Sequence, residues 1–338
     1  MISTPGTLTT IAAAYSCGPV KLRLAFEDSC LRDALHGLLS QYDAPWPAPE
    51  AAINVTIERG DAPAEMSQPS GAYFFSDRLR AERCGASLIS MSWGAGVWMN
   101  YDFARSHARI VVPVHSDWPL VVEEIEQQLV LLLARAWAQA GWTPLHAGSL
   151  LPPGETRCVL LCAPSGAGKS SLIAALLRRG WRTLGDDKIL LQKERSGVIA
   201  RGLAQRFHLH PSSSRWFPEA GDLSAWPRYS RWTEKRAVRI EGLWPGRLAD
   251  HAVPAAAVQL ERIKNGLMIE PLNCTNTLDT LLRQVAIPAD AGHARPLVAC
   301  IAALATQVNS AAIKIGNETY ADSSRVDCLE RALRELLP

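Results

Sequence analysis

The chain has 338 residues, 48% of them hydrophobic and 20% charged, with a formal net charge of +2, the balance of a soluble globular protein long enough for two domains. The near-neutral charge excludes a nucleic-acid coat or a membrane-surface protein, and no run of about 18 uncharged apolar residues exists to cross a bilayer, so neither nucleic acid nor membrane is an expected partner. Eight cysteines without a CxxC pair and a start without a basic leader read as reduced thiols in a cytoplasmic protein.

Over the first 117 residues, short alternating apolar runs predict strands at 20–26, 53–58, 86–93, 96–102 and 108–114. A helix over 29–42 interrupts them, a proline-bearing loop over 45–53 follows it, and Gly94-Ala95-Gly96 suits a tight hairpin. This part, 1–117, is predicted to be a small α+β module serving recognition. A long apolar-periodic segment, 119–140, then reads as a helix. Asp117 is its candidate cap, Pro119 lies in its first turn, Glu123, Glu124 and Glu126 favour its start, and Gly141 ends it. The second domain is assigned 118–338, with strands and one clear helix to about 270, then helix, helix, strand, helix.

Residues 163–170 read Ala163-Pro164-Ser165-Gly166-Ala167-Gly168-Lys169-Ser170. They lie between an apolar strand, 158–162, and an amphipathic helix from Ser171 that Gly180 ends. Strand, glycine-rich loop and helix in that order form a phosphate-binding loop. Gly166 and Gly168 let successive N–H groups curl around an anion, and the helix N-terminus adds its partial positive charge. In that arrangement Lys169 bridges the β- and γ-phosphates of ATP and Ser170 ligates Mg²⁺. Gly185-Asp186-Asp187 ends a short strand, 181–185, that comes directly after the helix, with Asp186 17 positions beyond Lys169. A carboxylate there reaches back to the metal, and two adjacent acids allow two tasks, one on metal and one on a hydroxyl proton. His146 precedes the loop by a turn, 151–156. Folding 149–151 antiparallel against 158–162 sets position 146 opposite about 162, at the mouth of the loop, where it meets phosphate, metal or acceptor.

These residues carry a resemblance. His146-Ala147-Gly148, the hairpin, the phosphate loop, the helix ending Arg178-Arg179-Gly180, and Gly185-Asp186-Asp187 resemble the HPr kinase/phosphorylase superfamily, particularly its HPr-kinase-related branch. The resemblance is specific over 145–190; the strand-like 256–263 is similar to a later segment of related kinases. It implies an α/β fold shared with phosphoenolpyruvate carboxykinases, preceded by the smaller N-terminal domain, and phosphorylation of a serine on an incoming peptide or protein. It further implies Asp186 as the base for the serine proton, Asp187 as metal or supporting carboxylate, and His146 on the phosphate side. Pro164 stands where the family has aspartate, and the family's C-terminal signature is not recognisable, so HPr itself is not the implied acceptor. Kinases of this branch are associated with ribosomally made peptides, including lasso-peptide precursors.

Residues 206–247 are rich in arginine and lysine, with Trp216, Trp226 and Trp232 interleaved. They read either as the acceptor-facing side of the site or as a solvated loop whose tryptophans pack on the core. His208 and His210 alternate as on a strand, with no third metal ligand evident. The leading expectation is an ATP- and Mg²⁺-dependent serine kinase. A kinase for a small-molecule alcohol and a nucleotide-binding module that transfers nothing are the alternatives, the latter favoured by Pro164, and homo-oligomerisation stays open.

Overall fold

The computed structural model describes residues 11–338 except 28, 40–45, 47–48, 50, 62–70, 76–78, 93, 115–117, 204–205, 231–232 and 289. The predicted cap Asp117, together with Arg231 and Trp232, lies outside the described residues. The chain is a mixed α/β structure of two compact units, the first taking residues through Ala140 together with 287–294, the second the remainder.

The first unit is built on an eight-stranded sheet, of order β1-β2-β3-β8-β7-β6-β5-β4. Its strands are β1 (Ile11–Cys17), β2 (Val20–Phe26), β3 (Ala51–Arg59), β4 (Gly71–Phe75), β5 (Leu79–Cys84), β6 (Ser87–Ser92), β7 (Trp98–Asp102) and β8 (His107–Val112). The pairs β2–β3 and β3–β8 are parallel and the others antiparallel. Helix α1 (Ser29–Leu39) follows β2. The long helix α2 (Trp118–Gln139) belongs to this unit, not at the head of the second as the sequence suggested, because its buried polar side chains are spent on this sheet. Trp137 Nε1 donates to Cys17 O at 2.9 Å, and Gln128 donates to Ser92 Oγ and Val97 O. Glu124 accepts the N–H groups of Ala95 and Val97 at 2.6 and 3.1 Å. Glu124 therefore closes the predicted hairpin rather than complementing the helix dipole, and the first turn of α2 carries no acid.

In the second unit, three strands run parallel at the centre of another eight-stranded sheet: β11 (Arg157–Cys162), β17 (His251–Arg262) and β19 (Asn309–Ile315). Beside them lie β9 (Trp142–Leu145), β10 (Gly148–Leu150), β12 (Ile189–Glu194), β13 (Gly197–Gly202) and the edge strand β18 (Leu267–Pro271). The central strands are apolar runs buried on both faces, as parallel strands are. In β11, Val159 and Leu161 join one core layer with helices α3 (Lys169–Leu177) and α7 (Ser323–Glu335). Cys158, Leu160 and Cys162 join the other layer, with α5 (Cys274–Leu282) and α6 (Ala291–Gln307). The period-two alternation of one strand thus feeds two cores. The predicted order helix, helix, strand, helix after residue 270 is what α5, α6, β19 and α7 form. A separate three-stranded sheet of order β14-β16-β15 comes from β14 (Arg206–Leu209), β15 (Arg228–Ser230) and β16 (Thr233–Arg239), and the short helix α4 (Ile240–Leu243) follows it.

Candidate functional site

Parallel strands deliver their following loops to one edge of a sheet, where α/β proteins bind ligands. The loop 163–168 follows the C-terminus of β11, and Arg262 and Ile315 end β17 and β19. Pro164 to Gly168, Arg262 and Ile315 line one cleft of about 300 Å³. Gly166 and Gly168 have φ of 86° and 103°, the left-handed region that glycine enters freely. Gly168 is also the N-cap of α3, and no side chain caps that end. The first N–H groups of α3 therefore face the cleft, disposed as an anion requires. Predicted to begin at Ser171, the helix begins at Lys169. Ala163 is buried, Pro164, Ser165 and Gly166 are exposed, and Ser171 is half-buried.

The hairpin of β10 and β11 pairs Gly148 with Leu161 and Leu150 with Val159. Extending that register sets His146 opposite Ala163, one residue from the expected partner. The segment 181–185 is not the strand the sequence predicts: it holds two isolated bridges, Leu151–Arg182 and Thr183–Leu248, and bends at Leu184. Ser149 clamps it there: its hydroxyl accepts Leu184 N at 2.8 Å, its N–H donates to Gly185 O, and its carbonyl accepts Thr183 Oγ1. A Cβ on Gly148 would lie 2.6 Å from Ile173 Cδ1 and 3.2 Å from Asp186 O. Any larger residue would make Ile173 and the Asp186 backbone give way.

The acid pair is divided between two partners. Ser170 Oγ donates to Asp186 Oδ2 at 2.5 Å, and His208 N donates to the same oxygen at 3.3 Å. Asp186 Oδ1 is buried with no hydrogen-bond partner among the described residues. Asp187 Oδ1 instead lies 3.1 Å from His146 Nδ1. Lys169 Nζ donates to His146 Nε2 at 2.8 Å and to Ala163 O at 2.9 Å. An ammonium only donates, so Nε2 accepts and the imidazole proton sits on Nδ1, facing Asp187. The resemblance implies Asp186 as base and Asp187 as metal or supporting carboxylate; the contacts set Asp186 against Ser170 and Asp187 against His146.

The electrostatics differ between the two acids. Burial, then the charge of Asp187, pushes Asp186 up to about 6, against the hydrogen bonds from Ser170 and His208. Burial also opposes ionisation of Asp187, but Lys188, His146, His208 and Lys169 outweigh it and hold this carboxyl below its ordinary value. Burial lowers His146 and Lys169, the nearby acids pulling back in both cases. It takes His208 down to about 4, so that ring is neutral near pH 7.

His208 and His210 both line the cleft, and His210 Nδ1 accepts Ser212 N at 3.2 Å and caps the turn 211–215. Among the described residues, no three His, Cys, Asp or Glu side chains gather as a metal cage. The basic stretch contributes both to the core and to the cleft. Trp216 and Trp226 pack against the core, while Arg215, Trp216 and Lys235 line the cleft. Two further lining residues, Arg262 and Tyr320, escaped the sequence reading. Tyr320 donates to Gly168 O at 3.4 Å and its ring meets Trp216 with centroids 5.4 Å apart. Arg262 ends a strand that was legible; Tyr320, in a turn after β19, gave no signal.

Among the described residues no helix is long and apolar enough to cross a membrane. No family model and no curated protein matches the chain. Among solved structures it is similar to the Hpr(Ser) kinase/phosphatase from Coxiella burnetii, at 13% identity, covering 57% of this chain and 97% of that one, with a TM-score of 0.30.

Proposed function

We propose that the chain is an ATP- and Mg²⁺-dependent kinase that phosphorylates a serine hydroxyl on a peptide or protein. The observation that carries this reading is the divided acid pair beside an uncapped phosphate loop: Asp186 against Ser170, Asp187 against His146. The amides from Ser165 to Ser171 cradle the phosphates, and Lys169, with two of its three hydrogens engaged, has the third for a phosphate oxygen.

Ser170 and Asp186 suit Mg²⁺, because Asp186 keeps a buried oxygen without a hydrogen-bond partner and a hard cation takes oxygen ligands. When bound, the ion neutralises charge developing on the β- and γ-phosphates. Asp187 is the base. It is ionised, partly open to the cleft, and oriented by the Nδ1–H of His146. It takes the proton of the serine as that oxygen bonds the γ-phosphorus and the bond from γ-phosphorus to the β,γ-bridging oxygen breaks, the oxygen leaving with ADP. His146 orients Asp187 on one side and Lys169 on the other.

The test is transfer of labelled γ-phosphate from ATP to a panel of serine peptides. Wild type labels serine; Asp187→Asn keeps nucleotide and Mg²⁺ but transfers about 10²–10⁴-fold more slowly; Lys169→Ala loses productive nucleotide binding. Full nucleotide affinity in Lys169→Ala sinks the loop assignment. Tight ATP binding with no transfer to any acceptor supports the non-transferring module instead, a reading favoured by Pro164, which removes one N–H from the cradle.

A further inference from the structure

The sheet of β14, β16 and β15 places its charges unequally on its two faces. Paired residues of an antiparallel ladder share a face. The register Arg206↔Arg239 and His208↔Ala237 therefore groups these four, and the alternation of β16 adds Lys235. Phe207, Leu209 and Val238, on the reverse face, are buried in the core. His208 and Lys235 line the cleft of the phosphate loop, so the first face begins at the cleft and runs outward to Arg206 and Arg239.

That face is a strip of cations. Arg206 and Arg239 stand directly opposite each other, a like-charged pairing that costs stability, and burial together with the charge of Arg239 lowers Arg206 from its ordinary value. Glu234 alternates onto the reverse face, where it pairs with Arg228 and Arg236. Arg239 is exposed and makes no ion pair among the described residues. From Lys235 to Arg239 the strand rises about 13 Å, longer than a small alcohol spans and suited to several peptide residues.

Resting on the kinase reading above, we propose that the acceptor serine is carried by an acidic peptide segment, which lies along the Lys235, Arg206 and Arg239 face and enters the cleft past His208. The carboxylates of that segment pair with the facing arginines in the complex.

The experiment uses the full chain and a fluorescein-labelled serine peptide flanked by Asp and Glu, beside its Asn and Gln counterpart. Binding is read by fluorescence anisotropy and labelled phosphate transfer from ATP is measured in parallel. The acidic peptide is expected to bind about tenfold or more tightly than the neutral one and to weaken as salt rises. Arg239→Gln, at an exposed position, loses about tenfold on the acidic peptide and nothing on the neutral one, with nucleotide affinity retained. Equal binding of the two peptides by wild type overturns the proposal without recourse to any variant. An equal loss on both peptides in Arg239→Gln overturns it too, as does transfer to glycerol phosphate with no peptide bound. Preferential binding of the acidic peptide without phosphate transfer supports the surface and refutes the kinase reading, so the two fail separately.

Discussion

Asp186 makes a stability prediction whose sign is set before any catalysis is assayed. Its carboxyl is buried and pushed up to about 6 from 3.8. A carboxyl that binds its proton more tightly folded than unfolded favours the folded state below its unfolded value. The advantage is lost as pH rises through the folded one. The full difference, a little over two pH units, corresponds to about 3 kcal/mol, and roughly half of it falls between about pH 5 and about pH 7.5. Asp186→Asn cannot ionise, so without metal its unfolding free energy relative to wild type should improve by about 1–1.5 kcal/mol across that interval. The baseline offset reports the new amide N–H₂ in a site where Oδ1 has no hydrogen-bond partner among the described residues, and it cancels in the slope. Urea unfolding in EDTA at several pH values measures this, and Mg²⁺ with ATP should stabilise wild type but not the variant. A pH-independent difference between the two proteins refutes the buried-charge account of Asp186.

Asp187→Asn removes the charge that helps raise Asp186. Mg²⁺ binding, which in wild type weakens as pH falls through about 6, should persist to lower pH in the variant, as calorimetric titrations across pH would register. His146→Phe unmoors both Asp187 and Lys169; turnover should fall about 10²-fold with nucleotide affinity changed only a few-fold, since orientation and not binding is lost. Gly148→Ala drives a methyl into Ile173 and the backbone of Asp186, and should cost about 1–3 kcal/mol in denaturant unfolding.

The phosphate loop, its flanking strand and helix, and the hairpin carrying His146 were legible because each is local: a turn, an apolar run and a glycine spacing lie within residues 145–190. The order of α5, α6, β19 and α7 was legible for the same reason. What escaped depends on distant packing. α2 is apolar enough to serve either unit, and only its contacts through Glu124, Gln128 and Trp137 assign it. β1 is alanine-rich and β5 carries Arg80, Glu82 and Arg83, so neither shows the alternation of a half-buried strand; Glu82 is buried and ion-paired to Arg80. Arg262 and Tyr320 reach the cleft through the parallel pairing of β11, β17 and β19, which joins residues about a hundred positions apart in the first pair and about fifty in the second.

The division of the acid pair follows from where the segment lies. Residues 181–185 are bonded to Ser149 and Leu151, and the backbone then bends at Asp186 and Asp187, where the two acids take different partners. Once the hairpin and helix α3 lie on different sides of the segment, one acid must meet α3 and the other must meet the hairpin. Gly148 lets the segment come close to both at once. Ser170 lies in the first turn of α3 and His146 precedes β10, so the acid that meets α3 lies beside the oxygen suited to metal, and the other lies beside the imidazole. Which acid goes which way is fixed by Asp187 leading directly into β12, whose first residue, Ile189, pairs with Leu145. That pairing draws Asp187 toward His146 and leaves Asp186 for Ser170.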